Sequence, residues 1–270
     1  MSERTEYKPG TPSWVDHASS DPAAAADFYG KVFGWDTEDG MPDDADGQYF
    51  MATLRGKNVA ALGSNPVEGV PPHWNTYITV ESADDAAAAV KEAGGTVAME
   101  PFDVFDAGRM AACADPAGAF FMVWEPKESI GAQLVNEANA FSWSQLNTND
   151  TEGSKEFYSK VFGWNPVSME FAGGEYTIWN HGGTEPVQAP PEEGGTGLGG
   201  MMDTASMPEG VPNFWEVYFN VDDADATVAR VQELGGQVMN PAFDAEGVGR
   251  IAVLTDPQGA VFSVITPEPM

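Results

Sequence analysis

Cysteine and histidine are scarce in this chain of 270 residues, which contains one cysteine and three histidines. A single cysteine, Cys113, excludes an internal disulfide. Its apolar neighbours in Met110–Ala114 predict a core position for it rather than a reactive thiol. The histidines, His17, His73 and His181, are too few and too scattered to form a histidine-based metal site.

Positive charge is scarce as well, because 12 Lys and Arg stand against 42 Asp and Glu, for a net charge of −30. Such a chain repels the phosphates of nucleic acids and anionic membrane surfaces, so we expect neither as a partner. The acids are spread along the chain, which favours a general role in solubility, as in a high-salt host. The alternative is an acidic surface that attracts a cationic partner.

Long hydrophobic runs are missing too, and no stretch approaches the roughly 18 to 20 apolar residues of a membrane span. The first ten residues are polar and mixed in charge, which is not typical of a secretory signal. With one cysteine, the expected location is a reducing cytoplasm. The length predicts about two domains.

The chain contains the same sequence pattern twice. Phe28–Trp35 reads FYGKVFGW and Phe157–Trp164 reads FYSKVFGW, so seven of the eight letters match. Further along each half, Asp115–Ala119 (DPAGA) matches Asp256–Ala260 (DPQGA). A repeat of this length is a whole domain rather than a solenoid repeat of about 20 to 50 residues. We predict a first domain at 1–127, a linker at 128–139 and a second domain at 140–270.

Periodicity and turn signals predict that each half contains two βαβββ units. The four units cover residues 13–62, 74–125, 142–201 and 215–265. In the first half the expected strands are 13–18, 49–54, 58–62, 74–80, 96–99, 109–113 and 119–124, and the expected helices are 23–33 and 82–93. Residues 182–210, rich in glycine and proline, are predicted to form a long loop.

This chain resembles the vicinal oxygen chelate superfamily. The resemblance lies in the repeated helix sequence, in the paired glycines Gly94-Gly95 and Gly235-Gly236 after the second helix of each half, and in the DPAGA and DPQGA turns. This group contains glyoxalases, bleomycin-resistance proteins and extradiol dioxygenases, and the wording is most similar to its tandem, actinobacterial-type branch, called glyoxalase-like or hydroxylase. The resemblance implies an α+β fold in which four βαβββ units curl mixed sheets around cavities. It also implies metal-assisted chemistry on a small molecule, or drug binding without chemistry.

The resemblance further implies four metal-ligand positions in each half, occupied in metal-dependent members by His or Gln, Glu, His and Glu. In this chain these positions fall on Trp14, Ala61, Asn75 and Met122, and on Trp143, Gly200, Glu216 and Ser263. Only Glu216 is a suitable ligand, whereas a catalytic zinc takes about three protein ligands. We therefore expect no metal and no other cofactor.

Strand alternation predicts which side chains line the cavities. The expected lining is Trp14, Asp16, Asn75, Tyr77, Phe120, Met122 and Trp124 in the first half, and Trp143, Gln145, Asn147, Glu216, Tyr218 and Ser263 in the second. The alternation also predicts that His17 points away from the cavity. This mostly aromatic lining suits a flat, apolar organic ligand, although aromatic residues also fill cores.

The candidate acid–base groups are Asp16 and Glu216, because a carboxylate in an aromatic pocket is desolvated and its pKa rises. Tyr77 and Tyr218 are candidate donors to an oxyanion. The alternative role for the carboxylates is structural, within hydrogen-bond networks.

The two repeated arginines, Arg109 and Arg250, could clamp a carboxylate or carbonyl of the ligand. Ion pairs with Asp103 and Asp244 are the favoured interpretation.

Three functions are compatible with the sequence. The first is a metal-independent enzyme that carries out dehydration, isomerisation or cyclisation of a small aromatic or carbonyl metabolite. The second is a binding protein that sequesters a drug, and the third is a metal-dependent glyoxalase-type lyase. The expected partner is a small molecule, and a monomer or homodimer is expected, because the duplication supplies in one chain the pairing of two domains.

Overall fold

A computed structural model describes residues 2–42, 46–65, 67, 69–171, 174–183, 197–207 and 210–268. Within these residues the chain forms two eight-stranded mixed sheets, one from each half. The first contains β1 (Pro12–Ser19), β2 (Asp36–Asp39), β3 (Tyr49–Leu54), β4 (Lys57–Ser64), β5 (His73–Thr79), β6 (Thr96–Val104), β7 (Gly108–Ala114) and β8 (Phe120–Pro126). The second contains β9 (Phe141–Thr148), β10 (Trp164–Phe171), β11 (Gly174–His181), β12 (Gly197–Asp203), β13 (Phe214–Asn220), β14 (Gln237–Ala245), β15 (Gly249–Thr255) and β16 (Val261–Pro267).

Each sheet joins two βαβββ units through its middle. The strand order is β2-β3-β4-β1-β5-β8-β7-β6 in the first sheet and β10-β11-β12-β9-β13-β16-β15-β14 in the second. The helices are α1 (Pro22–Phe33), α2 (Ala83–Glu92), α3 (Thr151–Phe162) and α4 (Ala224–Glu233). None of the described helices is long and apolar enough to span a membrane. The α+β architecture of repeated βαβββ units is therefore confirmed.

The repeated helix sequence gives α1 and α3 the same capping residues at both ends. Asp21 and Asp150 cap the N-termini, because their side chains accept hydrogen bonds from backbone N–H groups in the first turn. Gly34 and Gly163 end the helices in the left-handed conformation, with φ of 71° and 67°. These caps explain why the helix boundaries could be predicted closely.

Two expectations about strands were wrong. The polar segment Asp36–Asp39 has no apolar alternation to mark it, yet it forms the edge strand β2. The predicted loop 182–210 contains β12, which pairs with both β9 and β11. Its glycines fit a strand because neighbouring groups occupy the space where side chains would stand. The rest of that loop prediction, at 184–196 and 208–209, lies outside the described residues.

The hydrophobic cores combine side chains from both halves. Tyr29 and Phe33 of α1 contact Phe262, a residue of the second sheet, with ring centroids 5.3 and 6.1 Å apart. In the mirrored arrangement, Tyr158 of α3 contacts Phe121 of the first sheet at 5.6 Å. Each repeated helix therefore packs between the two sheets, and the other face of each sheet carries the candidate site residues.

The predicted linker also belongs to the packed structure. Ala132 and Leu134 are buried, and Leu134 forms a β-bridge with Glu3 near the N-terminus. The backbone N–H of Ala132 donates to the carbonyl of Ser13 on β1. The domain limits themselves stay a prediction, but the segment between them is held against the first sheet.

Candidate ligand cavity in the second half

The second sheet encloses a cavity of about 250 Å³ that opens to solvent. It lies between the strands at the middle of the sheet and the hairpin loop that joins β14 to β15. Its lining is apolar with a few polar groups, as ligand sites usually are. The lining residues are Ser142, Trp143, Gln145, Met169, Phe171, Tyr176, Ile178, Tyr218, Glu246, Gly247, Val248, Ile251, Ile265 and Pro267.

An aromatic pair forms one wall of the cavity. The indole N–H of Trp143 donates to the hydroxyl of Tyr176 over 3.0 Å. Gly200 leaves room for the Tyr176 ring in this position, because a Cβ there would lie 1.8 Å from the Tyr176 hydroxyl oxygen. Phe171 adds a third ring, 5.7 Å from that of Tyr176. The wall is therefore positioned by the strands and offers ring faces to a planar ligand.

The inner end of the cavity is polar. Gln145 and Tyr218 line it, and Tyr218 lies within hydrogen-bonding reach of Gln145 and Ser263. Behind them, the carboxylate of Glu216 accepts hydrogen bonds from Ser263 Oγ and from Asn147 Nδ2, the latter over 2.9 Å. A hydrogen-bonded chain thus runs from the cavity wall through Ser263 to a buried carboxyl group.

Burial sets the protonation behaviour of this polar end. Burial raises the pKa of Glu216, and the hydrogen bonds from Ser263 and Asn147 only partly oppose the rise. Burial also raises the pKa of Tyr218 well above its ordinary value, and the nearby Glu216 charge raises it further. Tyr218 therefore stays a neutral O–H donor, whereas Glu216 is the group that can exchange a proton nearer neutrality.

In the first half, a tryptophan occupies the space that corresponds to the cavity. Trp124 stands where the second half has Ile265, and its side chain is buried within a cluster that includes Trp14 and Tyr77. Its indole N–H donates to the carbonyl of Ser129 over 2.9 Å. Gly108 makes room for it, because a Cβ at that position would lie 2.4 Å from the Trp124 ring.

The carboxylate of Asp16 lies in a closed network. One oxygen accepts hydrogen bonds from the hydroxyls of Tyr77 and Tyr49, over 2.6 and 3.1 Å, and the other accepts from Asn75 Nδ2 over 2.9 Å. Burial raises its pKa, and these hydrogen bonds partly oppose the rise. These contacts fit a structural role for Asp16 in a hydrogen-bond network better than the role of a base with access to a ligand.

The structure thus brings the predicted site residues together in two groups. Of the set, Trp143, Gln145 and Tyr218 line the cavity, with Glu216 and Ser263 directly behind it. The first-half residues Trp14, Asp16, Asn75, Tyr77, Met122 and Trp124 surround the closed network and its apolar neighbours. Phe120 joins neither group, because it is 55% exposed at the start of β8.

Both predicted arginines lie in ion pairs on the surface. Arg109 binds Asp84 and Asp103, and Arg250 binds Asp225 and Asp244. The favoured interpretation of these arginines, as partners of Asp103 and Asp244, is therefore confirmed.

Two further sequence predictions are confirmed, the orientation of His17 from strand alternation and the burial of Cys113 from its apolar neighbours. His17 points away from the site face, since its Nε2 lies 2.8 Å from Asp256 of the other half. Cys113 is buried, and burial raises the pKa of its thiol to about 12, which keeps it unreactive.

Sequence reasoning missed Tyr49 and Tyr176, which hold the same position in the two halves. Each accepts a hydrogen bond from the repeated tryptophan, Trp14 or Trp143. A signal for them exists, because Gly47-Gln48-Tyr49 matches Gly174-Glu175-Tyr176 as a short repeat between the longer ones. The apolar residues of β10 and β11 were also missed, because they follow no alternation that separates cavity from core.

The strand registers alter the expected set of metal ligands. Gln145, rather than Trp143, lies opposite both Gly200 and Glu216, so Gln145 takes the first position. The donors at the inner end are then one amide, one carboxylate and the hydroxyl of Ser263. The described residues contain no group of three or more His, Cys, Asp or Glu able to hold a metal ion. This donor set does not fit a resident catalytic metal, for which about three strong ligands are needed.

We expect the protein to lose thermal stability as the pH rises above about pH 5, about one unit above the ordinary carboxyl pKa values. Burial raises the pKa of Asp16, Asp115 and Glu216, so the folded state binds their protons more tightly than the unfolded state does. The stabilisation is complete below about pH 4 and is lost as the pH rises through the folded-state values. Melting temperatures measured at increasing pH should fall by a few degrees, and Glu216→Gln should make the fall smaller. A constant or rising melting temperature would contradict this expectation.

Comparison with known proteins places these features in a wider group. The family model described as "Glyoxalase/Bleomycin resistance protein/Dioxygenase superfamily" matches residues 12–123 and again 140–264. The protein named "Putative glyoxylase CFP32" from Mycobacterium bovis is 45% identical over 273 residues, covering 100% of this chain and 99% of its own. The anthracycline biosynthesis protein DnrV from Streptomyces peucetius is 37% identical over 275 residues, covering 97% and 94%.

Solved structures share the fold at low sequence identity. The Mn(II)-bound glyoxalase from Novosphingobium aromaticivorans gives a TM-score of 0.61 at 17% identity, covering 98% of this chain and 83% of its own. The 2,3-dioxygenase LapB from Pseudomonas sp. KL28 gives 0.63 at 11% identity, covering 96% and 93%. At these identities the similarity concerns the fold alone.

Proposed function

This chain belongs to the glyoxalase/bleomycin resistance protein/dioxygenase superfamily, and from that premise we propose that its second half binds a small, planar, largely apolar metabolite. The ligand lies against the Trp143–Tyr176 wall and directs an oxygen atom at Tyr218. The proposed chemistry is metal-independent proton transfer, as in isomerisation, dehydration or cyclisation. The cavity with its aromatic wall and polar inner end is the observation on which this proposal depends.

The proposed roles follow from position. Tyr218 lines the cavity and stays protonated, so it donates a hydrogen bond to the ligand's oxygen and stabilises negative charge that develops there. Glu216 does not line the cavity and acts through Ser263, which donates to it. The proton that the ligand loses passes to Ser263 Oγ as the Ser263 proton passes to the Glu216 carboxylate, so Glu216 is the final proton acceptor although it does not touch the ligand.

The relatives support a planar organic ligand. One has a name that refers to a glyoxylase, and another is named for anthracycline biosynthesis. Anthracyclines are polycyclic and aromatic, and ring faces suit the aromatic wall of this cavity. A metal-dependent glyoxalase-type lyase is disfavoured, because the donor set at the inner end of the cavity does not fit a metal.

Replacing Trp143 tests where the ligand binds. With the neutral tricyclic probe 9-anthracenemethanol, Trp143→Ala should weaken binding by about 10- to 30-fold, as expected when a central aromatic contact is removed. Trp14→Phe is the matched control in the first half and should leave the affinity unchanged. Fluorescence titration of the probe measures both. Equal affinities for wild type and Trp143→Ala would exclude the stacking role of Trp143.

Binding without chemistry is the second candidate function, and one observation favours it. Both oxygens of Glu216 already accept hydrogen bonds, so no unengaged base touches the cavity. Exchange of the acidic C–H protons of 2-tetralone in D₂O, followed by NMR, separates the two candidates. Under the enzyme proposal the protein accelerates exchange, and Glu216→Gln lowers the rate by about 10²-fold while sparing binding. Binding of 2-tetralone without accelerated exchange would leave the sequestering function.

A further inference from the structure

The positions of the basic residues limit the charge that a ligand of this cavity can carry. All 12 Lys and Arg and all three His lie in the described residues, and none of them lines the cavity. Arg250 directly precedes Ile251 of the lining, but its guanidinium is bound by Asp225 and Asp244. Lys155 reaches Glu175, next to Tyr176 in the sequence, and is paired there and with Glu152. The cavity therefore offers no cation to an anionic ligand.

An acidic residue lies at the mouth of the same cavity. Glu246 lines the cavity from the β14–β15 hairpin loop and is exposed. Asp244, two residues earlier, is paired with Arg250, whereas no partner of Glu246 is found in the described part of the chain. In the first half, where Trp124 occupies the corresponding space, the equivalent residue is Phe105. The unpaired carboxylate thus lies at the mouth of the apolar cavity that holds the candidate ligand site.

From these observations we infer that the ligand carries a positive charge, such as a protonated amine, on the end of its planar body that faces the mouth. The inference rests on the proposed function, because it assigns a charge to the ligand of that same cavity. Glu246 attracts the amine at short range, and the net charge of −30 raises the local concentration of cations and lowers that of anions. An anionic ligand would enter against this field and would find no basic residue in the lining.

Three probes with the same tricyclic body test the inference. They are 9-aminomethylanthracene, which is cationic at neutral pH, 9-anthracenemethanol, which is neutral, and anthracene-9-carboxylate, which is anionic. At about 10 mM salt we expect the amine to bind about 2- to 5-fold more tightly than the alcohol, and the carboxylate to bind more weakly than both. At about 1 M salt, where the Debye length is near 3 Å, the preference should largely disappear.

Glu246→Gln should reduce the amine-to-alcohol affinity ratio towards one without changing the affinity for the alcohol. Glu156→Gln is the matched control, because it removes one exposed acid from α3, outside the cavity lining, and makes the same change in net charge. It should preserve the ratio. Equal or stronger binding of the carboxylate, or a ratio that Glu246→Gln leaves unchanged, overturns the inference about charge. Failure of all three probes to bind, or binding that persists in Ile265→Trp, overturns the proposed function itself.

Discussion

Ile265→Trp is expected to abolish ligand binding in a protein that still folds, with a loss of affinity on the order of 100-fold. The substitution copies into the second half the side chain that fills the first. Trp124 occupies the corresponding space there, between strands with the same order and pairing. The expected effect is large because the cavity of about 250 Å³ is small enough for one indole ring to displace a planar ligand.

The second half retains a feature that accommodates the new ring. In the first half Gly108 leaves room for Trp124, and the equivalent position in the second half is also a glycine, Gly249. The tryptophan should therefore adopt a similar position without displacing the backbone. This is the reason to expect a filled cavity rather than an unfolded protein.

Probe titration with 9-anthracenemethanol measures the effect, and circular dichroism checks the fold. Ile265→Leu is the control, because it conserves volume and should change the affinity by less than about 5-fold. A folded Ile265→Trp protein that binds the probe as tightly as the wild type would place the ligand elsewhere.

Asp256→Ala is expected to lower the free energy of unfolding by about 3 to 5 kcal/mol, because it leaves several buried hydrogen-bond partners without their acceptor. Asp256 lies between the halves, where its Oδ2 is 2.8 Å from His17 Nε2 and 3.2 Å from the hydroxyl of Tyr29. Both side chains of the His17–Asp256 pair are fully buried. Without the carboxylate, His17 keeps no partner at Nε2, and its Nδ1 already has none among the described residues.

The chain offers an internal control for this prediction. Asp115 holds the equivalent position and accepts from Tyr158 and from a backbone N–H, but the residue equivalent to His17 in the repeat is Leu146, which cannot form a hydrogen bond with it. Asp115→Ala should therefore destabilise the protein less than Asp256→Ala does. Chemical denaturation of both variants measures the difference. Equal losses would show that His17 adds nothing to the contact between the halves.

The pKa values of the two aspartates are shifted in opposite directions. Burial raises the pKa of Asp115, and its hydrogen bonds offset only part of the rise. Burial acts on Asp256 as well, but the hydrogen bond and charge of His17 hold its pKa below the ordinary value. Its contribution to stability is present above about pH 4 and is lost as the pH falls through the depressed value.

Local signals in the sequence explain why much of the fold could be predicted. The capping aspartates and the left-handed glycines mark both ends of α1 and α3 within a residue or two. Strand alternation placed Asp16, Asn75 and Tyr77 on one face, where they are hydrogen-bonded to each other. These features depend on residues close in sequence or on a single strand pairing.

The choice between an open and a filled cavity could not be predicted in the same way. Trp124 and Ile265 are both apolar residues at the same strand position, so alternation treats them alike. The space that each leaves depends on packing against Gly108 and on other strands, which is a property of the assembled sheet. The sharing of cores between the halves is equally non-local, because it joins α1 to Phe262 at the other end of the chain.

Native mass spectrometry tests directly whether the second half holds a small organic ligand. Wild type and Ile265→Trp are exposed in parallel to an extract of the producing cells and read for both metals and organic adducts. We expect one organic adduct per wild-type chain, no stoichiometric metal, and no adduct on Ile265→Trp. Stoichiometric zinc, nickel, iron or manganese, or an adduct that the variant retains, would contradict this expectation and favour a metal-dependent lyase or a site elsewhere.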